Sequence, residues 1–486
     1  MHIIQLFSGQ DLASGDYHYR IEQPAHGLSA VPGVEVHNVD LLEITSFDTF
    51  AQVPFLVIHH MSDPDLLPLV AARRKNGLVT IFEVADNHHA SREHYTESSG
   101  RRDRSAEVID TLLRRCSALQ MPSKALANRF GQMNRSHAVF PNCVTTTQTP
   151  KPRSGRFVVG WGGSARHYAD VAYVAPALIE WCRRHDNVLV AIMGSRRILG
   201  LFAGDGKLSA EQLWYKPPGS LDSYLDFLST LDVGIAPLLP NEFNACRSDV
   251  KYLEYASRRV VPLCSKFGPY LDLGGDERIV LFETTEQLMT HLEFLYKNPQ
   301  QRKRIVDNAQ TWVQEKRLDK PEQWQQRCTF YKELAENLNL KRVDMSNLRP
   351  DLLKAISKEV GISLNKAARA TDFEEAYRIC LQAIEFEPTN YQSYYFAGWT
   401  LAKLGRLQES LEHLSTALSL NPKSIRTAML YVHISVLNGD TGPAKRVLDL
   451  AIEVEPGLKS LHNLRRIVNS VSEEQLREAA SKKIED

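Results

Sequence analysis

Roughly two to four globular domains are expected for a chain of this length, and a hydrophobic content of 43% over 486 residues supplies ordinary packed cores. Basic and acidic side chains number 58 each, so the formal net charge is zero and no global field draws the chain to nucleic acid or to an anionic bilayer; membrane contact is at most peripheral. No run of about 18 apolar residues occurs, and the opening MHIIQLFSGQD has no basic n-region, so neither a spanning helix nor export is expected.

From residue 3 to about 150, short apolar runs at 3–7, 55–59, 78–84, 118–121 and 138–140 alternate with helical or loop stretches. That alternation is the pattern of a Rossmann-like lobe, assigned to residues 1–150. The run 82–89, FEVADNHH, ends a strand at its carboxyl edge, where Asp86, His88 and His89 suit binding of hydroxyls or removal of a proton from an attacking oxygen. Asp63-Pro64-Asp65, the one D-x-D triplet, reads as a turn or helix start rather than a metal site. Residues 91–104 carry Arg101, Arg102 and Arg104 in a polar loop, suited to an acceptor phosphate or simply to solvent. The Thr- and Pro-rich stretch 145–155 reads as an interlobe linker.

A second lobe, 151–320, repeats the alternation, with strands at 157–160, 188–193, 212–215, 233–237, 260–263 and 279–282 and helices at 171–184 and 221–230. GWGGSA at 160–165 follows the first of these strands, where small residues let backbone N–H groups approach an oxyanion; Arg166 and His167 add donors. A dinucleotide site would place an acid at the end of the next strand, but 188–193 ends in Gly194-Ser195, which demotes NAD. The segment 231–270 reads as strand, polar loop, helix from near Ser248, and strand, so the loop lies at a strand's carboxyl end. Arg247, Ser248 and Asp249 open that helix, and Lys251 and Glu254 share one of its faces, an arrangement suited to a ligand carrying phosphate and hydroxyls.

Beyond the second lobe, 321–340 reads as an amphipathic helix and 341–356 as a linker. Pro388, Pro422 and Pro456 then recur at a constant spacing of 34, as do Ala383, Ala417 and Ala451, and each proline ends a helix with apolar residues at 3–4 spacing. This is the tetratricopeptide (TPR) period, and it assigns 357–470 to an all-α helical-repeat domain. Gly398, Leu401, Leu414 and Ala417 make the middle repeat the best match. Such stacks offer a concave surface to a protein partner or act as a brace. Residues 471–486 read as a polar helix or tail. The seven cysteines, at 116, 143, 182, 246, 264, 328 and 380, are scattered and lack a C-x-x-C; this argues against a disulfide framework or cysteine-held zinc and suits a reducing cytoplasm.

On DVGIAPL at 232–238, FN at 243–244, RSDVKYLEY at 247–255, VVPL at 260–263 and GPY at 268–270, the chain resembles the donor-binding segment of retaining glycosyltransferases of the two-lobed GT-B fold, in the family-4-like branch. The resemblance implies that Glu254 holds the ribose of a nucleotide sugar and Lys251 its diphosphate. GWGGSARHYAD at 160–170 is similar to the G-x-x-G-S-x-x-H-x-x-D opening of the second lobe in such enzymes, which implies Gly163, Ser164 and His167 as diphosphate or sugar neighbours, with Gly162 and Gly194 beside them. Pro141-Asn142 matches the pair that precedes the interlobe linker, and the 321–340 helix stands where the crossover helix of the fold returns to the first lobe. The chain departs from the family's pattern at two places: Cys246 stands where the first acid of an E-x7-E pair belongs, and Arg258-Arg259 where a glycine commonly ends the helix.

The expected protein is thus a cytoplasmic glycosyltransferase with Lys251, Glu254, His88 and His89 in the reaction and no cofactor beyond the donor itself. Retention of configuration by front-face attack, without a metal, follows from the resemblance, with the helix dipole, Lys251, Arg247 and His167 in place of a divalent ion. Glycan, lipid-linked and protein acceptors all stay open. So do an epimerase or hydrolase on the same fold, and a non-catalytic interaction protein, toward which the missing acid points.

Overall fold

The computed structural model describes residues 1–8, 15–90, 104–146, 155–273, 277–340 and 345–470. The side chains of Arg101, Arg102 and Arg104, most of the 145–155 linker and the 471–486 tail lie outside the described residues.

Two six-stranded sheets organise the first two thirds of the chain, and every pairing in them is parallel. The first contains β1 (His2–Phe7), β2 (Glu35–Asp40), β3 (Phe55–His59), β4 (Val79–Glu83), β5 (Ala118–Met121) and β6 (His137–Val139), in the order β2-β1-β3-β4-β5-β6. The second contains β7 (Phe157–Gly162), β8 (Val188–Met193), β9 (Leu213–Lys216), β10 (Val233–Ala236), β11 (Val261–Ser265) and β12 (Val280–Phe282), in the order β12-β11-β10-β7-β8-β9. Strands such as β3, β4, β10 and β11 are buried along their whole length, which is why they read as unbroken apolar runs. In each sheet the order reverses beside the first strand, between β1 and β3 and between β7 and β10, and open parallel sheets bind ligands at the carboxyl ends of such a switch.

The helix Pro321–Asn337 crosses back to the first lobe, where Trp324, Cys328, Tyr331 and Leu334 pack with Ile3, Leu28, Phe55, Val57 and Ile81. Gly27 is required there, because a Cβ on it would fall 2.1 Å from the Trp324 ring. The expected linker at 341–356 needs correction: Met345–Lys354 is a helix, and Leu348, Leu352 and Ala355 are buried in the first lobe's core. The helix ending at Ser257 turns through Arg259 at a φ of 59°, the left-handed position usually given to glycine, and Arg259 is held there by Gln310 and Asp307.

Among the described residues seven helices follow: Lys358–Arg369, Phe373–Phe386, Tyr391–Lys403, Leu407–Leu420, Ile425–Leu437, Thr441–Val454 and Lys459–Ser470. Within the middle pair Gly398 lies against Leu414, where a Cβ would come within 2.7 Å, and the Ser410 hydroxyl donates to its carbonyl at 2.7 Å. One side of this array is docked on the first lobe. Asp65 accepts from the hydroxyls of Tyr391 (3.1 Å) and Ser424 (2.8 Å) and from the Arg426 amide (2.9 Å), while Asp63 pairs with the Arg426 guanidinium at 2.7 Å. Gln392 donates to the carbonyls of Leu41 and Ile44, and Arg115 pairs with Glu455. The D-x-D triplet is therefore the anchor of the repeat array, a role its local sequence does not suggest.

Candidate functional site

The second sheet's switch point is built from the ends of β7 and β10. Gly162 is still in β7, so the loop begins at Gly163, two residues later than the expected strand at 157–160 implies. Only glycine fits at 163 and 194: a Cβ on Gly163 would meet the Trp161 ring at 2.7 Å, and one on Gly194 the Gly163 carbonyl oxygen at 2.9 Å. The Gly194 carbonyl accepts from the Tyr215 hydroxyl at 2.9 Å, and Ser164 is exposed at the start of the following turn.

Lys251 and Glu254, one helical turn apart on Val250–Ser257, do point together. The Lys251 ammonium donates to the Gly162 carbonyl at 2.7 Å and to the Tyr224 hydroxyl at 2.5 Å, and lies 3.4 Å from the Glu254 carboxylate. Tyr224 donates to Glu254 at 2.7 Å. Burial lowers the Lys251 pKa, with Glu254 opposing, and raises those of Tyr224 and Tyr19, with Glu254 adding to the rise, so both phenols stay protonated.

A second chain of contacts runs from Arg247. Its guanidinium donates to Asp86 of the first lobe at 2.9 Å and to His167 Nε2 at 2.8 Å. Arginine has no acceptor, so Nε2 is bare and His167 carries its proton on Nδ1, which faces Asp170 at 3.0 Å. Asp170 also accepts from the Leu239 amide (2.9 Å) and the Asn244 side chain (2.8 Å), which joins the H-x-x-D and FN motifs and fixes the loop after β10. Burial, with Arg247 nearby, pushes His167 down to about 4 despite its bond to Asp170.

Ser248 and Asp249 turn instead to the hinge. Ser248 accepts from the Asn142 side chain at 3.2 Å, and Asp249 pairs with Arg317 at 2.5 Å, whose guanidinium also donates to the Asn142 carbonyl. His88 and His89 share a different partner, Asp110, at 2.8 Å each. Cys246, at the place of the absent acid, has its thiol buried and its carbonyl accepting from Ser123 of the first lobe.

Sequence reasoning missed Tyr19 and Arg20. Both lie in a π-helical turn, His18–Glu22, that follows β1 after the undescribed residues 9–14; π-turns concentrate at functional sites. Arg20 is buried and donates to Glu83, to the Phe140 carbonyl and to Asn142, while Tyr19 crosses to the second lobe's core, where burial and then the Glu254 charge raise its pKa. Local periodicity holds no signal for either contact. The lobes also meet through Asn87 and Glu242, so the cleft is closed around its own side chains. A separate cavity of about 640 Å³, lined by Ala175, Pro176, Ile179, Arg183, Leu201 and Lys207 among others, includes none of these residues.

Solved structures place this architecture. Sucrose-phosphate synthase from Thermosynechococcus elongatus is similar at a TM-score of 0.53 and 12% identity, over 69% of this chain and 99% of that one. HepE from Anabaena, in complex with UDP-glucose, is similar at 0.50 and 12% identity, over 70% and 99%. TarM of S. aureus matches at 0.46 and 12% identity over 57% of this chain, which spans 54% of TarM's length. The chain therefore has the two-lobed GT-B fold found in glycosyltransferases. It continues into TPR repeats: the tetratricopeptide repeat model matches residues 391–424. No curated protein matches the sequence, and no helix among the described residues is long and apolar enough to cross a membrane.

Proposed function

We propose that this protein is a glycosyltransferase that takes a nucleoside-diphosphate sugar at the carboxyl ends of β7 and β10 and passes the sugar to an acceptor from the first lobe. The observation that carries the reading is the convergence of Lys251, Glu254 and Tyr224 at the Gly162 carbonyl, on a GT-B fold whose similar structures include one holding UDP-glucose. In this reading Glu254 takes the ribose hydroxyls. Lys251, Arg247, the amides at Gly163 and Ser164, and the amino end of the Val250–Ser257 helix take the diphosphate, with His167 orienting Arg247 and Gly194 leaving room. Ser248 and Asp249 act through the hinge by fixing where that helix begins. Fixed cations replace a metal at the donor end, and the acceptor hydroxyl attacks on the face from which the diphosphate leaves, its proton passing to the departing oxygen. Configuration is then retained without a second carboxylate. The acceptor meets the edge that carries Asp86, His88 and His89.

Thermal-shift screening against nucleoside diphosphates and their sugar conjugates tests the reading, since a ligand of the folded state raises the melting point by mass action. A product assay then separates transfer from hydrolysis or epimerisation. One observation favours a second reading, a non-catalytic scaffold: Cys246 stands where the family's pattern has an acid. No shift from any nucleotide would support it. The docked face of the repeats supports their acting as a brace on the acceptor lobe, and the outer face is left for a protein partner.

A further inference from the structure

At the carboxyl edge of the first sheet, His88 and His89 aim their Nε2 atoms at the same Asp110 oxygen, each 2.8 Å away. The three ligand atoms lie within 4.8 Å of one another. The rings are held in place before any ion arrives. His88 stacks on Phe130 at 4.7 Å between centroids with planes 19° apart, and His89 meets the same ring edge-on at 5.3 Å. Asn87 orients the pair, its side-chain oxygen accepting from the His89 amide at 3.2 Å while its amide group donates to the Glu242 carbonyl across the cleft. Asp110 is fixed by its place on the helix Arg104–Arg115. The mainly exposed Arg114 is the nearby competing cation, 3.9 Å from the other Asp110 oxygen.

We propose that His88, His89 and Asp110 bind a divalent ion of the zinc type, with one coordination position left open toward solvent. Two imidazoles and a carboxylate are the donor set that zinc favours when it keeps an exchangeable fourth ligand. Bonds of roughly 2.0–2.2 Å need donors about 3.4 Å apart. Opening each His–Asp contact by about half an ångström, and bringing the two imidazole nitrogens, now within 4.8 Å of each other, to the same spacing, meets that. The outward face is accessible, with the His89 side chain 34% and the Asp110 side chain 21% exposed, so an ion there can take a water or an acceptor oxygen. Asp86, two residues before His88, holds Arg247, so such an ion would sit beside the interlobe contact without touching the diphosphate. The proposal does not depend on the donor-site reading, because ion binding is measured without nucleotide.

The test uses the full chain, stripped with a chelator and dialysed against micromolar zinc, with bound metal measured by mass spectrometry and the coordination checked by the visible spectrum of the cobalt form. One zinc per chain and a tetrahedral cobalt band are expected, and His89→Ala and Asp110→Asn should each weaken binding at least tenfold, with melting curves confirming that they fold. His89 is exposed enough that its variant keeps the test alive if Asp110→Asn does not fold. A wild-type chain that retains no zinc, or zinc retained equally by both variants, overturns the proposal.

Discussion

The Tyr224 hydroxyl donates to the Glu254 carboxylate at 2.7 Å, inside the second lobe. The carboxylate proposed to hold a ribose is thereby already engaged by a phenol, and it is buried near a second one, Tyr19 of the first lobe, whose pKa is raised by burial and then by the Glu254 charge. A nucleotide must displace the Tyr224 hydroxyl to reach it, so Tyr224 competes with the donor.

Removing that competitor should tighten binding. A hydrogen bond of this kind is worth about 1 kcal/mol net, so Tyr224→Phe is expected to raise nucleoside diphosphate affinity roughly fivefold in isothermal titration. Unchanged or weaker affinity would mean that Tyr224 does not stand in the donor's place.

The state of His167 gives a pH prediction. Its folded pKa of about 4 lies below the ordinary 6.5, so within that window the unfolded chain binds a proton that the folded chain, with Arg247 and Lys251 close by and Asp170 opposing, does not. Stability should fall as the pH drops from about 6.5 toward 4. Between pH 7 and 5 the wild type should lose about 2 kcal/mol more than His167→Gln in denaturant unfolding. Parallel losses in the two proteins would place the proton elsewhere.

Long-range contacts explain what the sequence leaves out. Lys251 and Glu254 were readable because a helix puts such neighbours on one face, and the inner strands because burial on both sides makes them continuously apolar. The edge strand β2, EVHNVD, carries no such signal: it is largely part-exposed and mixes polar with apolar residues. Met345–Lys354 looked like a linker because Pro350 and several polar residues interrupt it, although Leu348, Leu352 and Ala355 fall at helical spacing. The contacts of Arg20 with Glu83 and of Asp65 with Arg426 span 63 and 361 residues, beyond any local pattern.

Those distant contacts make the repeat array integral to the first lobe. Arg426 pairs with Asp63, donates to Gln392 at 2.9 Å and lies over the Tyr395 ring at 4.4 Å. Breaking a buried pair on one side costs about 3–5 kcal/mol. Arg426→Ala should lower the melting temperature by several degrees and raise amide exchange in Tyr391–Lys403 and Ile425–Leu437; a variant as stable as the wild type would show the array to be loosely attached.

Gly27→Ala probes the crossover helix in the same way. A methyl group driven against Trp324 is expected to cost about 1–3 kcal/mol, read as a lower denaturant midpoint. No change would mean that the helix gives way easily.

The central claim, that the cleft captures a nucleoside diphosphate through Lys251 and Glu254 without a metal, is tested most directly by calorimetric titration of the full chain with a panel of nucleoside diphosphates in the presence of a chelator. Saturable binding of at least one of them, weakened tenfold or more by Glu254→Ala and by Lys251→Ala, is the predicted result. Binding to none, or binding indifferent to both substitutions, would contradict it.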